Sequence, residues 1–138
     1  MAAYNGTQCA LIAAGSEPDV TEVGGRVRCF TETFTYAAQA SGSTITVAKL
    51  PAGAIVLGFE LNTSVSTGSA TIAVGDGTNT YVAAAAYTTP GDTVLAALQA
   101  GNGMTSPLSA DGSIILTTGT AALPASGTLL FKTYYVVD

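Results

Sequence analysis

The stretch Leu50–Val82, LPAGAIVLGFELNTSVSTGSATIAVGDGTNTYV, decides the fold class of this chain. In its first part apolar residues alternate with small or charged ones, and one side carries Ile55, Leu57, Phe59 and Leu61. Successive side chains of a β-strand point to opposite faces, so this alternation predicts a half-buried strand whose apolar row faces a core.

Two further strands are predicted after short turns. Ser66–Gly68 is typical of a turn, and Ala70–Val74 then alternates again, with its even-numbered residues facing inward. Gly75–Gly77 marks a second turn before Thr80–Val82. Three short strands joined by tight turns predict a β-meander, the unit of a sandwich or barrel.

The remaining strands are read from the same alternation. Arg26–Tyr36 is predicted as a long strand with Arg28, Phe30, Glu32, Phe34 and Tyr36 on one side, because aromatic and β-branched residues suit a pleated surface. Thr44–Lys49 and Ser113–Thr117 are predicted as two more strands. The segment 92–100 fits a short capped helix or a strand, and its periodicity leaves both open.

The final segment, Thr128–Val137, is apolar on both faces. Such a strand lies in the centre of its sheet or is covered by a partner. Seven or eight closely spaced strands, without the helix pattern of a parallel sheet, predict an all-β fold: an antiparallel, jelly-roll-like β-sandwich over residues 26–138. Residues 1–25 are rich in Gly, Ala and acids, and are predicted as an extended N-terminal arm.

The composition predicts a surface that other subunits cover. The 138 residues suit one domain, yet only 9% of them are charged and mean hydropathy is +0.44. No uninterrupted apolar run reaches the roughly 18 residues that a spanning helix needs, so no membrane association is expected. The candidate contacts with identical or neighbouring subunits are the isolated apolar residues of the arm, Tyr4, Leu11 and Ile12, and two residues on one face of the final segment, Tyr134 and Val136.

Charge and residue usage exclude several functions. The formal net charge is −5 with only four Lys and Arg residues, too few to neutralise a phosphate backbone, so no nucleic acid partner is expected. Histidine is absent, which removes the commonest general base and metal ligand. Cys9 and Cys29 are expected to be reduced, with a bridge between them as the alternative. The N-terminus has no basic segment before an apolar core, which predicts synthesis in a cytoplasm without export.

No catalytic, cofactor or metal site is predicted. The turn Gly75–Asn79 offers Asp76 and Asn79 oxygens to calcium, but hairpin turns use the same residues, and a calcium site needs more carboxylates. A Ser–Lys pair would need Lys49 or Lys132 desolvated beside a serine, and no local pattern provides that. The chain is therefore expected not to be an enzyme.

Several segments together resemble small β-rich virion proteins of tailed bacteriophages, especially head decoration or cement-type proteins. They read STITV at 43–47, LPAGA at 50–54, GSATIAVGDGT at 68–78, YVAAA at 81–85 and GTL at 127–129, with Tyr134-Tyr135 in the final strand. The likeness covers residues 43–137. It implies no catalytic residues, binding to a major capsid protein or other virion protein, location in the virion, and a symmetric oligomer. A trimer suits the three-fold positions of an icosahedral shell.

Two other classes remain open. The chain could be another phage structural component, such as a coat, tail, collar or fibre-base protein, although a coat around nucleic acid usually has a basic inner surface. It could also be a carbohydrate-binding or adhesive sandwich, with Tyr81, Tyr87 and Tyr134 available to stack on sugars despite the absence of Trp.

Overall fold

The computed structural model of the chain describes residues 26–95 and 107–137, and these form eight β-strands. Their alternating β-branched and aromatic residues explain the extended backbone. The strands are β1 (Arg26–Thr35), β2 (Thr44–Leu50), β3 (Ile55–Thr63), β4 (Thr71–Gly75), β5 (Thr80–Ala86), β6 (Gly91–Leu95), β7 (Gly112–Gly119) and β8 (Thr128–Val137). None of the described residues forms a helix able to cross a bilayer.

The strands form two four-stranded antiparallel sheets. Sheet A has the order β1-β8-β3-β6, and sheet B has the order β2-β7-β4-β5. The pairing is nested: the first strand pairs with the eighth, the second with the seventh, the third with the sixth, and the fourth with the fifth. The all-β, antiparallel sandwich predicted from the sequence is therefore confirmed.

The predicted meander is wrong in its connectivity. β3 lies in sheet A, whereas β4 and β5 lie in sheet B, so only β4 and β5 form a hairpin. The connection from Ser64 to Ala70 carries the chain from one sheet to the other. It is fixed by Thr67, whose amide donates to the Tyr87 carbonyl at 3.0 Å and whose hydroxyl accepts from the Tyr87 amide at 2.9 Å.

The core lies between the two sheets and is built from the inward rows of both. Phe59 and Phe131 of sheet A pack with ring centroids 5.5 Å apart, and Tyr81 of sheet B lies 6.1 Å from Phe59. The predicted inward row of β4 is confirmed, because Ala70, Ile72 and Val74 are buried. Burial of these apolar side chains is the main source of stability in such a sandwich.

A β-bulge in β3 corrects the prediction for Ile55 and Leu57. The register of β3 against β8 shifts between Val56 and Gly58, where β3 has one residue more than its partner strand. One extra residue moves the preceding side chains to the opposite face. Val56 is consequently buried with Phe59 and Leu61, whereas Ile55 and Leu57 are only half-buried.

Threonine side chains bind the loop backbone at one end of the sandwich. Thr118 Oγ1 accepts from the Ser43 amide at 3.0 Å and lies 3.0 Å from the Ala40 carbonyl oxygen. Thr67 Oγ1 donates to the Ala70 carbonyl at 3.1 Å, so the buried loop backbone at this end has partners. The opposite end carries the start of β1 and the end of β8, which pair as Arg26 with Val137.

The other predictions divide between confirmed and untested. Thr128–Val137 is a strand with the predicted bounds, and it lies centrally between β1 and β3 as its two apolar faces indicate. Within the ambiguous segment 92–100, the part up to Leu95 is strand, and the remainder lies outside the described residues. The arm, residues 1–25, including Cys9, also lies outside them, so its boundary stays a prediction.

Candidate assembly surface

The outer surface of sheet A, called here the outer A face, follows from the strand register. Residues paired across antiparallel strands share a face, and those next to buried residues point away from the core. The outer A face comprises Val27, Cys29, Thr31 and Thr33 on β1; Leu130, Lys132, Tyr134 and Val136 on β8; Ile55, Glu60 and Asn62 on β3; and Asp92 and Val94 on β6.

Apolar side chains occupy two parts of the outer A face. Val27 pairs with Val136, and Val136 pairs on its other side with Ile55, which makes a three-strand apolar row at one end. Val94 on β6 is 82% exposed and Val27 is 65% exposed. A contiguous apolar row such as the one at Val27, Val136 and Ile55 favours contact with another surface, because removing it from water is favourable.

A polar centre separates these apolar parts. The Tyr134 hydroxyl donates to Glu60 Oε2 at 2.9 Å, and this hydrogen bond, with a smaller effect of burial, raises the pKa of Tyr134. Asn62 Nδ2 donates to Asp92 Oδ1 at 2.5 Å. The bond from β8 to β3 fixes the Tyr134 ring over the sheet, so this aromatic side chain is presented in one orientation.

Of the five predicted contact residues, the structure brings two together. Tyr134 and Val136 lie on the same face of β8, two residues apart. Tyr4, Leu11 and Ile12 lie outside the described residues. Sequence reasoning missed Ile55 and Val94, because Ile55 was assigned to the core and the pairing of β6 with β3 has no signal in local periodicity.

The turn Asp76–Asn79 uses its carboxylate internally. Asp76 Oδ1 accepts from the amides of Thr78 and Asn79 at 2.8 and 2.6 Å, and Oδ2 accepts from Asn79 Nδ2 at 3.1 Å and the Tyr81 hydroxyl at 3.2 Å. Partial burial acts to raise the pKa of Asp76, but these hydrogen bonds hold it below its usual value. Burial and the Asp76 charge raise the pKa of Tyr81 to about 12.

This geometry fits a hairpin turn. The described residues contain no group of three or more His, Cys, Asp or Glu side chains placed to hold a metal ion. Four hydrogen bonds from the protein already occupy the Asp76 oxygens. The residues of this turn therefore do not fit the 6–8 oxygen ligands that calcium takes.

One Ser–Lys pair was not predicted from the sequence. Lys49 and Ser113 are opposite each other in the β2–β7 register and line an open depression with Pro51 and Asp111. Lys49 is exposed, whereas activation of a lysine as a base requires its amine to be desolvated. Asp111 Oδ1 accepts from the Ala52 amide at 2.9 Å, so it stabilises the β2–β3 loop. This depression has no arrangement suited to acyl transfer.

Two of the three tyrosines available for sugar stacking are core residues. Tyr81 is 4% exposed and Tyr87 is 8% exposed, so neither ring face reaches a ligand. Only Tyr134 of the three is on an outer face, and its ring is half-buried. The expectation that all three were available is wrong. The small residues that flank Tyr81 and Tyr87 in the sequence did not indicate that both rings are buried in the core.

The fold of this chain is one found in bacteriophage capsids. A chain in the capsid asymmetric unit of cyanophage Pam1 aligns with a TM-score of 0.67 and 19% identity, over 100% of this chain and 92% of that chain. A chain in the capsid of Ralstonia phage GP4 aligns with a TM-score of 0.60 and 19% identity, over 83% of this chain and 84% of that chain. No protein-family model and no curated protein sequence matches the chain.

Proposed function

We propose that this protein is a structural component of a phage virion that binds the outer capsid surface as a decoration or cement protein. The observation that carries the proposal is the fold likeness to chains of two phage capsid structures over most of both chains. The nested strand pairing supports it, because this pairing is consistent with a jelly roll, an architecture frequent in viral capsid proteins. The chain acts without catalysis, and it resides in the virion after synthesis in the host cytoplasm.

The outer A face is the proposed contact with other copies or with the shell. Its apolar row contains Val136, and Tyr134 is held beside it by Glu60. Such a surface combines an apolar row at one end with an aromatic ring held by a hydrogen bond, and aromatic residues are enriched in protein interfaces. The partners proposed are further copies, as a homotrimer, and a major capsid protein or other virion protein.

A shell-binding experiment tests the proposal. Purified protein is mixed with phage shells that lack it, and sedimentation with the shells and shell resistance to heat are measured. We expect binding and greater shell stability. Self-assembly into closed particles would instead identify a coat protein, and retention on glycan arrays would identify an adhesive module. Binding to isolated tails but not to shells would identify a tail, collar or fibre-base protein.

Two matched variants locate the contact. Val136→Glu adds a charge to the outer A face, and Thr46→Glu adds the same charge to an exposed position of β2 on the outside of sheet B. A charge buried without a partner is strongly unfavourable, so we expect only Val136→Glu to weaken trimer formation or shell binding. Light scattering measures the trimer. Equal behaviour of the two variants would contradict a contact at the outer A face.

The arm is proposed to attach to a neighbouring subunit or to the shell through Tyr4, Leu11 and Ile12. Segments of low apolar content gain order on binding. Deletion of residues 1–22 is expected to leave the melting temperature of the domain nearly unchanged while weakening assembly or shell attachment. A deletion that unfolds the domain, or one that leaves shell binding at full strength, would contradict this role.

A further inference from the structure

Among the described strands, β1 is a long edge strand with one unpaired side. β8 pairs with it over all ten residues, and no other described strand pairs with it. In an antiparallel ladder, the backbone N–H and C=O groups of every second residue point away from the partner strand. β1 therefore presents a row of backbone donors and acceptors to a further strand along the side of the sandwich.

The core-facing side of β1 carries two opposite charges around an aromatic residue. The register pairs Arg28 with Tyr135, Phe30 with Thr133 and Glu32 with Phe131, which places these three β1 side chains on one face. Arg28 and Glu32 are exposed, whereas Phe30 is half-buried. Within the described residues Arg28 has no ion pair, and Glu32 accepts only the adjacent Thr33 amide at 3.2 Å.

The two charged residues lie symmetrically about Phe30. Arg28 is two residues before it and Glu32 is two residues after it. A two-fold axis through Phe30, perpendicular to sheet A, would place β1 of a second copy antiparallel beside β1. Arg28 would then face Glu32 of the second copy, Glu32 would face Arg28, and Phe30 would face its own counterpart. We propose that β1 pairs with β1 of a second copy in this register, which joins two copies of sheet A into one eight-stranded sheet.

Other registers leave at least one of Arg28 and Glu32 without a partner of opposite charge. The axis must pass through a residue, because otherwise the inward side chains of one copy would lie opposite outward side chains of the other. An axis at Cys29 sets Glu32 opposite Arg26 but leaves Arg28 opposite Phe30, and an axis at Thr31 sets Glu32 opposite Phe30. Axes at Arg28 or Glu32 set like charges directly opposite each other, which is destabilising.

Charges on edge strands also occur as guards against association. A guard disfavours every register, whereas residues of opposite sign at equal distances from one centre favour the register described above. The two roles predict different behaviour of the parent chain, which pairs if the proposed register forms. A guard keeps the parent chain unpaired and loses that effect when it is neutralised.

The contact does not depend on the proposed role at the shell. Each copy has one β1, so this symmetric contact joins copies two at a time. It can do so whatever other assembly the copies form. It also uses the strand edge rather than the outer A face. Loss of shell binding and loss of β1 pairing are therefore separate outcomes.

Charge exchange in the full-length chain tests the pairing. Glu32→Arg and Arg28→Glu each set like charges opposite twice per contact, and we expect each to weaken pairing about tenfold or more, measured by sedimentation equilibrium. The double variant Arg28→Glu with Glu32→Arg restores both ion pairs and is expected to recover parental pairing. Lys49→Glu on β2 is the control and is expected to change nothing. Single variants that pair like the parent, or a double variant without recovery, would overturn the proposal.

Cross-linking tests the register. In a Cys9→Ser chain, Thr31→Cys places a thiol opposite Cys29 of the second copy, within the roughly 4.4–6.8 Å between Cα atoms that a disulfide allows. Thr33→Cys is the control, because position 33 faces Val27 of the second copy. Mild oxidation is expected to yield a covalent dimer with the first variant and little with the second. Equal yields of dimer, or none with either variant, would overturn the register.

Discussion

The hydroxyl group of Tyr36 lies 2.8 Å from Thr63 Oγ1, which joins the residue after β1 to the last residue of β3. Thr63 Oγ1 donates its single proton to the Val65 carbonyl oxygen at 2.6 Å, so Tyr36 is the donor to Thr63. Both side chains are buried, and burial raises the pKa of the Tyr36 hydroxyl. The proton therefore stays on Tyr36, and the chain of hydrogen bonds is complete.

Thr63→Val should destabilise the fold through this relationship. The substitution keeps the shape of the side chain but leaves the buried Tyr36 hydroxyl and the Val65 carbonyl without their partner. A buried polar group left unpaired costs about 1–3 kcal/mol, and we expect a decrease of that size in the free energy of unfolding. Urea denaturation measures it.

Thr133→Val is the matched control, because Thr133 is 0% exposed and its hydroxyl has no partner among the described residues. Removing that hydroxyl relieves a desolvation penalty, so we expect no loss of stability or a gain of about 1 kcal/mol. Equal losses in the two variants would contradict the roles given to these hydroxyl groups.

Gly127→Ala should destabilise through backbone strain and crowding together. Gly127 has φ of +119°, and an added Cβ would lie 2.6 Å from Val65 Cγ2. Gly42 has φ of +87° with nothing within 4 Å of such a Cβ, so Gly42→Ala introduces strain alone. We expect Gly127→Ala to lower the free energy of unfolding by about 1–3 kcal/mol more than Gly42→Ala does. The same loss in both would show that Val65 moves aside freely.

The Asp76 turn should make stability depend on pH in the acid range. The pKa of folded Asp76 lies below its usual value, so its hydrogen bonds stabilise the fold fully above the unfolded pKa of about 3.9. That contribution is lost as the pH falls through the folded pKa. Urea unfolding from pH 7 to pH 2 should show a shallower acid decline for Asp76→Asn than for the parent. Identical slopes would contradict this.

Phe59→Ala should remove much of the total stability. Phe59 is 1% exposed and contacts aromatic rings from both sheets, so truncation leaves a cavity between them. We expect a loss of about 3–5 kcal/mol, measured by thermal or urea unfolding. Val94→Ala on β6 is the control, because Val94 is 82% exposed, and its effect should stay within about 0.5 kcal/mol. A small effect of Phe59→Ala would show that the core collapses around the deletion.

Local alternation was sufficient to predict strands whose surroundings are regular. The bounds of β8 and its central place both follow from which side chains are apolar. It failed at the bulge before Gly58, because one extra residue reverses the faces without changing the apolar pattern around it. Ile55 thus belongs to the outer A face rather than to the core.

The assignment of each strand to one of the two sheets could not be predicted from the sequence either. Turn residues such as Ser66–Gly68 indicate where the chain reverses, but not whether it stays in one sheet or crosses to the other. The pairing of Thr31 with Lys132 or of Glu60 with Val94 joins positions far apart in the chain. Such contacts depend on the whole topology, so the outer A face and the free side of β1 could not be recognised before the register was known.

The nested pairing has a consequence for synthesis on the ribosome. β8 is made last, yet it lies between β1 and β3 in sheet A. A nascent chain that lacks residues 128–137 cannot join β1 to the rest of sheet A, and it leaves the inner side of Phe59 without Phe131. Pairing strands so distant in sequence is intrinsically slow, because a long loop must close first. The two described sheets are therefore complete only after β8 has emerged, and until then the apolar side of β3 remains exposed.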